Sequence, residues 1–425
     1  MTGTTERLDR AALARWRNAI VVAFALGGIT LSTWGPRLPA IKQDLGLTAG
    51  GIGLLLTATT IGSVCGLLLS TPLLARFGSR GAVRLVLLVM AGALVVIGVS
   101  SDVLHSAGTM AVGFLLVGLA IGSFDVMINV EGAALEAAST RTLMPFLHAA
   151  WSVGAAIGSG IGAASAGLGV PPSGQFSGEA VLVAAAGVLL PRAIPVHDAA
   201  VTEAEERLPV GRRIVGWLRG WTDVRLLLIG LVMLGAELGE GSANTWLTLS
   251  TQREHGQTAA VAALFFTVFA LGEATARVLG GPLVDRFGRV RTTRVTLALG
   301  VLGTVLFILT DSWWLVLIGV VLWSIGVSMG FPLGMSAAAE SGPNPAARVS
   351  VVASIGYFAN LAGPPAVGFL ADATDLLTAL WLIAVLFIAA IAAAGSFRPR
   401  PACPFTDEAG LRGTPLAAPG DRRVG

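Results

Sequence analysis

Gly280–Val290 reads GGPLVDRFGRV, and 210 positions earlier Ser70–Arg80 reads STPLLARFGSR, so Pro, Leu, Arg, Phe and Gly coincide at one constant offset. A parallel duplication of the chain explains this, with each copy placing a short basic loop between two apolar runs. The copies are not equal, because Thr71 and Ala75 stand where the second copy has Gly281 and Asp285.

Outward from these loops the chain of 425 residues is 54% hydrophobic and only 12% charged, against roughly 25% charged in soluble domains. The apolar residues recur as runs of about 17 to 28 residues, the length a helix needs to cross about 30 Å of hydrocarbon. Glycine, 55 residues in all, lies mostly inside those runs, where small residues let helix backbones approach closely in lipid. The two cysteines, Cys65 and Cys403, offer no disulfide framework. A net charge of +3 could suggest nucleic acid, but the arginines sit in short loops between apolar runs and read as topology signals.

Loop signals and hydropathy predict helices near 18–41, 50–75, 82–100, 108–135, 146–168, 177–192, 224–249, 258–284, 293–310, 313–337, 349–370 and 376–396. The sixth has a short apolar core, Ala180–Leu190, and is accepted because the loop charges require a crossing there. Alternate loops hold Arg76, Arg80 and Arg84; Arg141; Arg192 to Arg219; Arg286 to Arg294; and Arg348, whereas the opposite loops hold only Arg37, Lys42 and Arg253. The positive-inside rule then puts both termini in the cytoplasm with an even number of spans. The expectation is an all-α membrane protein with twelve transmembrane helices in two six-helix bundles, 18–192 and 224–396. A cytoplasmic tail (1–17), a polar cytoplasmic linker (193–223) and a disordered cytoplasmic C-terminal tail (397–425) complete it. The start lacks a cleavage site after a short apolar region and reads as a tail, not a removed leader.

With twelve spans and a duplication around it, GGPLVDRFGR resembles the cytoplasmic loop signature of the major facilitator superfamily through Gly281, Asp285, Arg286, Gly288 and Arg289. The resemblance covers about 18 to 396 and implies two bundles around a cavity that opens alternately to either side of the plasma membrane. In the gating reading, Asp285 and the arginines form ion pairs and helix-end contacts across the cytoplasmic mouth; in the plainer one, the loop only fixes topology. The degenerate first copy makes any such latch lopsided. Asp125–Gly154, DVMINVEGAALEAASTRTLMPFLHAAWSVG, resembles the fourth and fifth helices of the fucose-proton symporter branch and related bacterial permeases, with Asp125, Asn129, His148 and Ser152 at the matching places. In the first span WGPRLPAIK lacks the acid of the symporters, which leaves sugar specificity open.

An ionisable group inside a bilayer costs at least about 2.5 kcal/mol on insertion scales and is by default a functional candidate. Asp125 and Asn129, four apart, share one helix face; the acid either carries a proton or makes a structural hydrogen bond. Glu237, Glu240 and Asn244 form one polar stripe on the seventh span, read as a substrate or proton face or as a wet vestibule. Glu273 and Arg277 are spaced to pair on the eighth, and neutralise each other unless a proton-linked break biases the packing of the halves. His148 opens the fifth span as a proton relay or as a water-facing helix end. Arg37 either snorkels to the outer interface or meets an anionic group.

No phosphate-cradling loop, nucleophile elbow or metal-ligand spacing occurs, so no enzyme, metal or cofactor is expected. The resemblance implies a secondary active transporter of a small organic solute, proton-coupled and monomeric in the bilayer. Symport is the first reading, proton-driven export of a drug or metabolite the second, and a non-transporting membrane sensor a reading of another class.

Overall fold

Runs of Leu, Val, Ala and Gly without interior charge satisfy their backbone groups most cheaply as helices, and a computed structural model of the chain contains helices and no strands among its described residues. Those residues are 9–195 and 218–399, apart from 48, 140, 219 and 343. Most of the expected linker and of the C-terminal tail, and the first eight residues of the N-terminal tail, therefore lie outside the described residues.

In the first half, α1 spans Arg10–Ser32, α2 Leu38–Asp44, α3 Ala49–Asp102, α4 Ala107–Ala138, α5 Met144–Gly167 and α6 Pro172–Leu189. In the second half, α7 spans Val224–Arg253, α8 Ala259–Phe287, α9 Arg289–Leu309, α10 Trp313–Ser328, α11 Gly330–Ala339, α12 Pro345–Ala373, α13 Leu376–Ala379 and α14 Trp381–Ala393. Among the described residues nine helical segments are long and apolar enough to cross a membrane, one of them the 52-residue stretch Gly51–Asp102. That stretch is far longer than one crossing needs.

Several boundaries differ from the sequence expectation for local reasons. The second and third predicted spans run together as α3, and only Gly78, at φ 61 and ψ 170, turns the chain between its two arms. Gly288 does the same between α8 and α9, at φ 81 and ψ 154, so the repeated loop keeps its backbone form in both copies. The first predicted span begins early, at Arg10, and is broken after Ser32 by a short turn over Gly35–Arg37, where Pro36 cannot donate. The tenth predicted span is two helices meeting at Met329. The sixth is not short: with its terminal 3-10 turn it runs from Pro172 to Ala193. Hydropathy understated it because Gln175 and Glu179 hide their polar ends against Thr33.

Within each half the helices pair in the same order. α1 packs on α5, and α3 on α4 and α6; α7 packs on α12, α8 and α9 on α10, and α9 on α14. The tightest of these contacts rest on glycine. A side chain at Gly118 or Gly122 of α4 would collide with the carbonyl of Thr59 or Ser63, and one at Gly62 or Gly66 of α3 with that of Leu115 or Leu119. Two small-xxx-small faces thus lie backbone to backbone. Contacts between the halves are fewer, with α8 on α5, α11 on α4 and α5, and α12 on α3 and α4.

Because backbone cannot move aside as a side chain does, Gly118→Leu should cost about 3 kcal/mol or more. It is expected to abolish the monodisperse peak of the detergent-extracted protein in size-exclusion chromatography, whereas Gly160→Leu, where a Cβ meets open space, leaves that peak intact.

Candidate functional site

α4 carries Asp125 about 20 Å along the helix from its end at Ala138, close to the middle of the molecule. The side chain is 4% exposed. Its Oδ1 accepts a hydrogen bond from Asn129 Nδ2 at 3.0 Å, and the same nitrogen donates to the Asp125 carbonyl at 2.9 Å. That leaves Asn129 Oδ1 as acceptor, 3.1 Å from His148 Nε2, so His148 carries its proton on Nε2 in this network. The imidazole is buried between Phe24 of α1 and Phe331 of α11, with ring centroids at 5.1 and 5.3 Å. The water-facing reading of His148 is thereby corrected: packing by two aromatic rings encloses it.

Asp125 Oδ2 is buried without a hydrogen-bond partner. Tyr357 of α12, the only tyrosine in the chain, interacts with the same carboxyl. Glu237 of α7 lies within electrostatic reach of both Asp125 and Tyr357.

On the other flank, Arg277 of α8 gathers the remaining acids. Its Nη2 lies 2.8 Å from Glu240 Oε2 and 2.5 Å from Glu273 Oε1, while its Nη1 donates to Ser152 Oγ at 2.8 Å. Ser152 in turn donates to the His148 carbonyl at 3.3 Å. The pair expected between Glu273 and Arg277 is present, but it is part of one cluster and not a separate neutralised unit. Asn244 does not join; it is exposed, because seven residues beyond Glu237 the polar stripe has left the interface. Arg37 is also not a snorkelling side chain: it is 3% exposed and donates to the Val170 carbonyl at 2.7 Å.

At the end of the molecule bearing the repeated loop, a second set of polar bonds joins the halves. Asp285 Oδ1 accepts from Thr142, from its backbone N at 2.8 Å and its Oγ1 at 2.5 Å. Arg289 pairs with Glu136 of α4 at 2.8 Å and with Glu340 at 2.7 Å. Glu136 also accepts from the backbone N of Leu143 and Met144 and from Ser336 Oγ. Gly281 has no room for a Cβ, which would meet the Thr142 carbonyl. Arg286, by contrast, is exposed and stacks over the Phe287 ring at 5.3 Å; it takes no ion pair among the described residues. The contact is lopsided: on the side of the degenerate copy, the halves meet through Ser350 Oγ and the Leu67 carbonyl at 3.0 Å.

Sequence reading passed over Tyr357, Glu136, Glu131 and Glu179. Glu131 is buried and accepts from Trp16 Nε1 at 3.2 Å, and Glu179 accepts from Thr33 at 2.7 Å. Each was visible as a polar residue inside or at the end of an apolar run.

Removing Arg277 would strand Glu240 and Glu273 beside each other, and breaking a buried pair in this way typically costs about 3–5 kcal/mol. Arg277→Met should therefore lower the thermal unfolding midpoint of the purified protein markedly. Adding Glu240→Gln and Glu273→Gln to that variant should recover most of the loss; no recovery would mean that the guanidinium acts by packing alone.

The chain and its fold have counterparts among known proteins. The Major Facilitator Superfamily sequence profile matches residues 229–418. An uncharacterised MFS-type transporter of Yersinia pestis is 30% identical over 380 residues, covering 88% of this chain and 93% of that protein. An uncharacterised transporter of Sinorhizobium fredii is 30% identical over 385 residues, 90% of this chain and 98% of that one. In fold, the chain is similar to the fucose:proton symporter FucP of Escherichia coli, with a TM-score of 0.71 at 16% identity, over 90% of this chain and 98% of that chain. Matching relatives along nearly their whole length and sharing this fold, the chain belongs to the major facilitator superfamily and is a multi-pass membrane protein of a transporter family.

Proposed function

We propose that the protein is a secondary transporter of a small organic solute, working by alternating access and coupled to protons through Asp125. Twelve spans form two six-helix bundles, the α3 stretch counting as two, and both termini face the cytoplasm. The loop Gly281–Arg289 then lies at the cytoplasmic mouth. The observation that carries this reading is the buried, unpartnered Asp125 Oδ2, set between the halves beside Tyr357 and Glu237.

Among the described residues four carboxyls, those of Asp125, Glu237, Glu240 and Glu273, share this region with a single guanidinium. Buried charge persists only when paired, so the balance is completed by protons or by a positive group on the cargo. A carboxyl that gains its proton from one side and loses it to the other performs coupling when cargo and proton favour the same state. His148, Asn129 and Asp125 form a directed hydrogen-bond path into the site. Ser152 and Arg277 carry any change in those acids across the interface. The polar bonds described between the halves lie on the cytoplasmic side of Asp125 in this orientation, which supports a state closed inward.

Symport is favoured by the Asp125, Asn129 and His148 arrangement and is in keeping with the named activity of the fucose:proton symporter that shares the fold. In liposomes holding an internal pH dye, the protein should move protons when its solute is added, and Asp125→Asn should abolish that movement while leaving solute exchange measurable. Full coupling in the mutant would make Asp125 structural and end this mechanism.

Breaking the mouth contacts tests the gate. In Glu136→Gln with Asp285→Asn, the distance between spin labels at Arg141 and Arg294 should lengthen or broaden. An unchanged distribution together with unchanged turnover would reduce the loop to a topology signal.

A further inference from the structure

Arg291 and Arg294 stand three apart on the exposed face of α9, and Arg398 follows α14. They line a groove of about 580 Å³ between α9 and the chain from Ile391 to Pro399, and among the described residues no acid lines it. Arg289, at its edge, is already held by Glu136 and Glu340, and Arg294 is oriented by a 3.3 Å bond from its Nε to the Ile391 carbonyl. Arg291 and Arg398 take no carboxylate partner among the described residues.

This basic groove is continuous with a second one. Phe287, Arg291 and Val295 line both, and the second, about 790 Å³, runs between α8, α9 and α10. Its walls are apolar, with Leu271 63%, Leu279 55% and Leu283 43% exposed. From Phe287 to Leu271 the groove follows α8 for about 24 Å, more than the roughly 15 Å of one leaflet's hydrocarbon.

We propose that the two grooves together bind one anionic phospholipid of the cytoplasmic leaflet. Its phosphate and headgroup lie on Arg291, Arg294 and Arg398, and its acyl chains lie along Leu279, Leu283 and Val295. Clustered arginines beside a membrane-facing furrow attract anionic headgroups, and guanidinium forks match phosphate oxygens in pairs. A zwitterionic lipid is a poorer occupant, because its ammonium finds no carboxylate in the groove. The occupant braces the start of α9, two residues beyond the Arg289 contact with Glu136.

The test is thermal unfolding of the delipidated, detergent-purified full chain with added phosphatidylglycerol, phosphatidylcholine or inorganic phosphate. Phosphatidylglycerol should raise the midpoint well above the other two. The rise should fall by more than half in Arg291→Gln/Arg294→Gln/Arg398→Gln and persist when the same three become lysine. Val295→Trp, which keeps every charge but fills the shared neck, should also weaken it. An equal rise with phosphatidylcholine, a rise with phosphate alone, or a full rise in the glutamine variant would each overturn the proposal. The lysine variant and the midpoint in phosphatidylcholine separate loss of lipid from loss of fold.

Discussion

The guanidinium of Arg277 is the constraint on which the centre of this protein depends. Among the described residues it is the one cation set between these buried carboxyls, and it touches three other helices: α7 through Glu240, α5 through Ser152 and α10 through the Ser328 carbonyl at 3.4 Å. In a low-dielectric interior each of those acids must find a partner or lose its charge. A single residue of α8 therefore ties the electrostatic state of the second half to Ser152 of α5, one turn beyond the His148 whose imidazole meets Asn129 and Asp125.

The two kinds of contact in the molecule differ in what breaking them requires. Inside each half, glycine faces bring backbone against backbone, and such packing cannot open gradually because all of its dispersion contacts are lost together. Between the halves the bonds are polar and local, from Thr142 to Asp285, Glu136 to Arg289 and Ser350 to Leu67. Water or a new partner can replace each of these one at a time. The contrast supports motion of one half against the other, with the helices of each half moving together.

Sequence reading found what is written in helical period and lost what depends on rotation and depth. Asp125 with Asn129, and Glu273 with Arg277, were legible because a spacing of four puts two side chains on one face whatever the tertiary structure. Asn244 shares the face of Glu237, since seven residues bring a helix back to within about 20°, but it stands about 10 Å further along, where that face is exposed. Tyr357 was illegible because only the packing of α12 on α4 brings it to Asp125. Glu136 was hidden by the loop beside it, since attention to Asp285 and Arg289 named one side of the contact and not its receiver. The breaks after Ser32 and at Met329 interrupt apolar runs, and what marks them in the sequence is proline, Pro36 in the turn Gly35–Arg37 and Pro332 three residues past Met329.

The duplication explains why scaffold and chemistry differ in legibility. Gly78 and Gly288 keep one backbone form, and the helix pairings of the first half return in the second. At the same offset of 210, Glu273 corresponds to Ser63 and Arg277 to Leu67, while Asp285 corresponds to Ala75 and Arg289 to Ser79. Ser63 donates to the Gly118 carbonyl at 3.2 Å, and Leu67 is buried; the positions that serve charge in one half serve close packing in the other. Had both copies kept their charges, two guanidinium clusters would compete for the same desolvated interface. A site whose guanidinium comes from the second half alone needs only one set of partners around it, with Asp125 of the first half set beside them.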